Sequence, residues 1–309
     1  MKMTKKALTA MIAASIAATA LPAAAMVSNL TNTLTSSNST GTNNAIPQTT
    51  PAAIPETGMQ TAANAPAVQA ELSAESMFTT EDVDGGVAIT GFKTDDENFT
   101  SDVVIPPTIS DKPVVALKNT NISPSGSRPD SCMTGADQLT SLDTSNCTSL
   151  SIEKSAFCNC DNLTSANLSG CTSIGNNAFQ NCSDLTKVTW PSSIGTIPDR
   201  CFSNCTSLNT FNSDTEGIFN LSGITSIENY AFYNCTGITD TVDLSSCTYI
   251  GLATFNSCTG ITGPVDLSGC TTIGQYAFSS CTGITSVDLS SCTTINGNVF
   301  IGCSGLTKV

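Results

Sequence analysis

Fifteen cysteines, twenty-five carboxylates and no histidine define the chemistry open to this 309-residue chain. Without imidazole there is no Ser–His or Cys–His nucleophile pair, and no zinc site of the kinds that need a histidine ligand. The sequence also lacks GxSxG, a phosphate-cradling glycine loop and HExxH. Two carboxylates can hydrolyse a bond unaided, but here the candidates, Asp243, Asp266 and Asp288, recur at repeat spacing like a structural column. The chain therefore reads as non-catalytic. So many thiols in an exported chain would suggest a disulfide framework. Twelve of them, however (Cys147, Cys160, Cys171, Cys182, Cys205, Cys235, Cys247, Cys258, Cys270, Cys281, Cys292 and Cys303), close successive sequence repeats. Stacked coils ~4.8 Å apart bring such residues near one another but with parallel Cβ vectors, which suits a disulfide poorly. Buried free thiols are expected. Cys201 takes the place held elsewhere by Ala156, Ala178, Ala231 and Ala277, so it too reads as core, whereas Cys132 and Cys158 fit no repeat position and their thiol or disulfide state stays open. Cys158-Asn-Cys160 and Cys201-Phe-Ser-Asn-Cys205 mimic metal spacings, yet each joins a repeat cysteine to a chance neighbour, and no metal site is expected there.

The element that positions these residues is a repeat of about two dozen residues. Phe157, Phe179, Phe202, Phe232, Phe255, Phe278 and Phe300 mark its period, and only the step from Phe202 to Phe232 is long, with the surplus at Asn212 to Phe219. One half of each unit follows L-x-x-L-x-L-x-x-C, clearest in Ile284 to Cys292, where alternating Val287 and Leu289 would point inward from a short strand. The other half, as in Ile174 to Cys182, supplies Ile, Ala and Phe from the opposite wall. A lone unit cannot bury its apolar face, whereas stacked units bury one another. The expected fold is a β-rich right-handed solenoid with one short strand per coil, turns or short helical pieces opposite, and the phenylalanines as a structural ladder.

Ahead of the repeats, residues 1–25 carry Lys2, Lys5 and Lys6, an apolar run from Ala7 to Leu21 and a small-residue end at Ala23 to Ala25. This is the order of a bacterial-type secretory signal peptide, with a run too short for the ~20 apolar residues of a membrane span. Residues 26–75, rich in Thr, Ser, Asn, Ala and Pro, read as a disordered spacer or a glycosylated stalk. Residues 76–130 hold the β-branched runs Gly86 to Phe92, Val103 to Pro107 and Val114 to Leu117, a β-rich N-terminal module that would cap the solenoid of residues 131–309. The net charge of −14, which loss of the leader's lysines deepens, opposes nucleic acid and anionic membrane as partners. No membrane insertion is expected after cleavage.

The leucine-rich pattern, the unit Ile227-Glu-Asn-Tyr-Ala-Phe-Tyr-Asn-Cys235, and Leu185 to Ile194 preceding Cys201 to Cys205 resemble BspA-type leucine-rich repeats, and residues 86–114 resemble the segment that precedes them. The resemblance covers residues 85–309. It implies a surface or secreted protein that adheres to host or neighbouring-cell proteins. Many units here are short and close on Cys, where that family often has an Ile-Pro turn; only Trp190-Pro191 keeps a turn of that kind.

On this scaffold Asp243, Asp266 and Asp288, with Asp143, Asn167, Thr189 and Asn212 before them, share one outward slot. They form either a plain solvated face or a docking stripe for a basic partner or Ca²⁺, the one cofactor with any residues to favour it. Trp190 reads as an exposed anchor or as packing, and Asp214 and Glu216 sit in the lone long insertion, functional or merely tolerated. Asn159, Asn181, Asn204 and Asn234 are expected to hydrogen-bond turn backbone between coils. A glycan site would want several exposed aromatics, of which the repeat face offers few. The expected function is binding of extracellular proteins by adhesion, and the alternative is a structural spacer displaying an effector or enzyme domain beyond residue 309.

Overall fold

The computed structural model describes residues 72–121, 131–239 and 241–309. The leader and nearly all of the spacer expected from the sequence lie outside these residues. Five strands precede the array: β1 (Phe78–Val83), β2 (Gly86–Phe92), β3 (Asp102–Val104), β4 (Thr108–Ile109) and β5 (Lys112–Leu117). Their sheets run on into the repeats. β5 pairs in parallel with β7 (Leu150–Ile152), and β3 pairs in parallel with β6 (Ser141–Asp143), so the apolar faces of the first coil are covered by hydrogen-bonded neighbours.

Each subsequent coil adds strands to two parallel ladders. The first continues from β6 through β8 (Ser165–Asn167) and β10 (Lys187–Thr189) to β12 (Thr210–Phe211). It resumes as β15 (Thr262–Asp266) beside β17 (Gly283–Asp288). The second runs from β7 to β9 (Cys171–Ile174), then through β11 (Thr196–Ile197), β13 (Ser226–Ile227), β14 (Tyr249–Ile250), β16 (Thr272–Ile273) and β18 (Thr294–Ile295). The parallel-strand solenoid is thus as the repeat pattern implied. Its second half-repeat, expected to be turns or short helical pieces, adds a second ladder of very short strands, each ending on an inward isoleucine.

The phenylalanine ladder lies at the centre. From Phe157 to Phe300 the rings stack with centroids 5.3–5.6 Å apart and planes within 8–14° of parallel. The long step between Phe202 and Phe232 leaves that spacing unbroken at 5.6 Å. Backbone geometry explains the regularity. The Phe157 N–H donates to the Ala178 carbonyl one coil on (2.8 Å), Phe179 to Cys201 (2.9 Å) and Phe202 to Ala231 (2.9 Å). The residue just before each Ala-Phe pair and the one two places after it take left-handed backbone conformations, such as Asn177 (φ 61°) and Asn181 (φ 62°), so that their N–H groups also point to the next coil. Asparagine is well suited to this conformation. The asparagines also form a ladder of their own: Asn181 Nδ2 donates to Asn159 Oδ1 (2.6 Å), Asn204 to Asn181 (2.8 Å) and Asn234 to Asn204 (3.1 Å). The side chains pair with each other, while the backbone of these residues makes the inter-coil bonds to main chain.

None of the fifteen cysteines is in a disulfide, and all but the half-buried Cys292 are buried. In the second-half column each thiol from Cys182 onward donates to the phenylalanine carbonyl of the preceding coil: Cys182 to Phe157, Cys205 to Phe179, Cys235 to Phe202, Cys258 to Phe232, Cys281 to Phe255 and Cys303 to Phe278, at 2.9–3.1 Å. A small, mostly apolar side chain with one weak donor fills the site and pairs a carbonyl that would otherwise lose strength to burial. Cys132 also finds its place. The Met133 N–H donates to the Ala156 carbonyl (2.9 Å), as each ladder phenylalanine does to its neighbour, and Gly135 (φ 75°) takes the left-handed position after it. Cys132 to Ala136 is therefore a degenerate coil in which Met stands for Phe, and Cys132 fills the alanine slot.

Candidate binding groove

The aspartate column forms as the spacing suggested. Asp243 bridges Asp266 in parallel, and Asp266 is in register with Asp288, which stacks the three exposed side chains on successive rungs. Each also has a structural task. Asp243 Oδ1 accepts the Ser245 N–H (2.9 Å), Asp266 that of Ser268 (2.9 Å) and Asp288 that of Ser290 (2.8 Å). Asp143 and Asn167 do the same with Ser145 and Ser169. These Asx turns end the strand and start the bend toward the closing cysteine. At Asp243 the Ser245 N–H is the main cause that holds the carboxyl below its ordinary pKa, so it stays charged. Bend geometry is tight here: a side chain at Gly269 would run into the Ser245 carbonyl.

A groove of about 800 Å³ lies along this column. Its apolar walls include Pro264, Val265, Val287 and Leu289, and Asp243, Asp266 and Asp288 line it with Ser268, Ser286 and Ser290. Lys308 stands at one end, where it bridges Ser286. Among the described residues, no group of three or more histidine, cysteine or carboxylate side chains is placed to hold a metal ion. The column therefore does not assemble into a Ca²⁺ cage of the clustered-oxygen type.

The other sequence candidates separate. Trp190 is not an exposed anchor. It is 3% exposed, its indole N–H donates to the Ile194 carbonyl (2.9 Å), and it packs edge-on against Phe202 (5.8 Å). In this coil it takes the inward position that Leu168 and Leu244 hold in others, and Asn212 Oδ1 accepts its backbone N–H (2.6 Å). This removes Trp190 from the candidate binding residues. The insertion carries Asp214 and Glu216 on the surface, with Asp214 3.5 Å from the Lys187 ammonium. Its return strand brings Phe219 in parallel beside Phe211, rings 5.2 Å apart, so the detour adds an aromatic to the core as well as a loop outside it. Neither Asp214 nor Glu216 lines the groove.

Sequence reasoning passed over two features. Asn220 ends the extra rung with the same Asx turn, its Oδ1 accepting the Ser222 N–H (2.9 Å). The signal was present in Asn220-Leu-Ser, which repeats the Asp-Leu-Ser of Asp243, Asp266 and Asp288. The groove itself depends on how deep the side chains of adjacent rungs reach, which spacing alone does not give.

Among the described residues no helix is long and apolar enough to cross a membrane. No protein with a curated description matches the chain. Among solved structures, a leucine-rich repeat protein of T. pallidum is similar in fold, with 21% identity over 77% of this chain and 91% of that one, and a TM-score of 0.51. A leucine-rich cell surface protein of Faecalibacterium prausnitzii A2-165 aligns over 76% of this chain and 93% of its own, with 17% identity and a TM-score of 0.30. Residues 127–220 and 212–309 match the BspA type Leucine rich repeat region in six copies. With the stacked coils, the two strand ladders and this match over more than half its length, the chain belongs to the BspA-type leucine-rich-repeat family.

Proposed function

We propose that this chain is a secreted or cell-surface binding protein that adheres to extracellular proteins through the groove along Asp243, Asp266 and Asp288. The observation that carries this reading is the groove itself, with apolar walls and a row of exposed carboxylates on rungs of fixed spacing. Apolar walls give a partner area to bury, and the acidic row selects an extended segment with basic side chains at matching intervals. A stacked solenoid presents such a row on a rigid frame, so little ordering is needed on binding. Catalysis has no comparable support, since the carboxylates that might act as a pair are held in turns.

The test is solution binding of the full chain to a panel of extracellular matrix proteins, with and without Ca²⁺, beside the triple variant Asp243→Asn, Asp266→Asn, Asp288→Asn. Asparagine makes the same turn at Asn167 and Asn220, so the fold should be kept. Saturable binding to a basic protein that weakens about tenfold in the triple variant and with added salt supports the reading, at ~0.5 kcal/mol per exposed charge. Unchanged affinity removes the column, and no binding across the panel favours the spacer role.

A further inference from the structure

Among the described residues the exposed large hydrophobics are Leu72, Ile218 and Val309. Leu72 and Val309 are the first and last of those residues, whereas Ile218, 48% exposed, lies within the array. The insertion holds it in a fixed place. Its N–H donates to the Thr215 carbonyl (3.3 Å), its carbonyl accepts the Phe211 N–H (3.0 Å), and the Gly217 N–H just before it donates to Thr210 Oγ1 (2.9 Å). Phe219, the next residue, is buried with its ring 5.2 Å from Phe211 and 5.4 Å from Phe232. With Phe219 locked inward, alternation along the rung turns Ile218 outward.

That rung shares its face with the aspartate groove. The same exposed–buried–exposed order runs through Ile218-Phe219-Asn220, Thr241-Val242-Asp243 and Pro264-Val265-Asp266. The bends that follow the first two are joined coil to coil, since the Cys247 thiol donates to the Ile224 carbonyl (3.1 Å) and the Thr248 N–H to the Thr225 carbonyl (2.8 Å). Asn220 and Asp243 therefore end rungs of successive coils. Ile218, Thr241 and Pro264 form a column beside the column of Asn220, Asp243 and Asp266, about 7 Å from it, or two residues along a strand. The groove's lining begins at Thr241, so Ile218 stands one coil beyond it, at the end opposite Lys308. Exposed carboxylates lie on both sides: Asp214 and Glu216 on the insertion, Asp243 on the next coil. An apolar side chain set among carboxylates suits a segment that carries apolar and basic side chains together, the one burying area and the other answering the charge.

We infer that Ile218 is the apolar anchor for the partner of the aspartate groove, a cationic peptide segment that pairs one large apolar side chain with a run of basic ones; this rests on the groove being the binding face. The experiment is calorimetric titration of the full chain at low salt with two synthetic peptides. One, Leu-Ser-Lys-Ser-Lys-Ser-Lys, puts its leucine and lysines on one side of an extended chain, and the other has serine in place of the leucine. The leucine peptide should bind saturably and about tenfold more tightly than the serine peptide, the gain from burying one half-exposed aliphatic side chain. Ile218→Ser should erase that difference while leaving the affinity for the serine peptide and the melting temperature unchanged, because Ile218 is exposed. The triple variant Asp243→Asn, Asp266→Asn, Asp288→Asn should weaken both peptides. If the leucine peptide has no advantage on the unsubstituted chain, or keeps it on Ile218→Ser, Ile218 is not an anchor, although the groove stands. If the triple variant binds both peptides undiminished, or neither peptide binds saturably at millimolar concentration, the groove fails as a basic-segment site and the anchor with it.

Discussion

The buried thiols predict an alkaline collapse of the fold whose size follows from the structure. Burial pushes the thiols of Cys147, Cys158, Cys247, Cys258 and Cys303 up to about 12, and that of Cys171 up to about 11. At Cys205, Cys235 and Cys281 it raises them further still. In the unfolded chain the same groups ionise near 8.5–9. A raised folded value means that stability is fully present below about pH 9 and lost as pH climbs toward 12, because only the unfolded state can release its protons in that window. Each thiol then costs ~1.4 kcal/mol per pH unit, and the six with values near 11–12 together cost roughly 8 kcal/mol per unit. A domain with about 5–15 kcal/mol in hand should therefore unfold between about pH 9.5 and 11. Circular dichroism against pH, under argon and without reductant, reads the transition. Ellman titration at pH 8 in denaturant should count all fifteen thiols, whereas in the folded chain the half-buried Cys292 should react first and the thiols that burial holds near 12, such as Cys258 and Cys303, about a thousandfold more slowly, as their thiolate fraction dictates. A fold that persists unchanged to pH 11.5, or an unfolded, unreduced chain with almost no free thiol, would refute the account.

Two further outcomes test the ladders. Phe255→Ala should cost about 4–6 kcal/mol, since Phe255 is wholly buried and stacks at 5.4 Å on both Phe232 and Phe278, while Phe300→Ala, for which stacking is seen on Phe278 alone, should cost less; urea melts that give equal losses would contradict stacking as the source. Asn204→Ala should cost about 2–3 kcal/mol by removing both side-chain ladder bonds and straining a backbone at φ 63°, and Asn204→Gly should recover the backbone part, which thermal melts of the two variants would separate.

The parts of this molecule that repeat identically are legible in the sequence, and those where one residue type stands in for another are not. Phenylalanine at a near-constant interval gives the core column directly, because only a stacked coil keeps such residues in register. The second ladder is hidden, since a two-residue strand such as β16 is too short to show alternation, and its isoleucine alone is compatible with a turn. Cys132 is opaque because the coil that places it has Met133 where others have phenylalanine. Trp190 misleads for the same reason in reverse: a large aromatic next to proline looks like a surface anchor, yet it fills a leucine position whose extra volume is taken up where the insertion feeds in Phe219. The aspartates carry two signals at once. Their outward slot is read from alternation, and their turn role from the serine two residues on; because asparagine satisfies the turn equally, the choice of aspartate on the three rungs beside the groove is not dictated by folding. That surplus of charge over what the turn requires is the reason to look for a partner there.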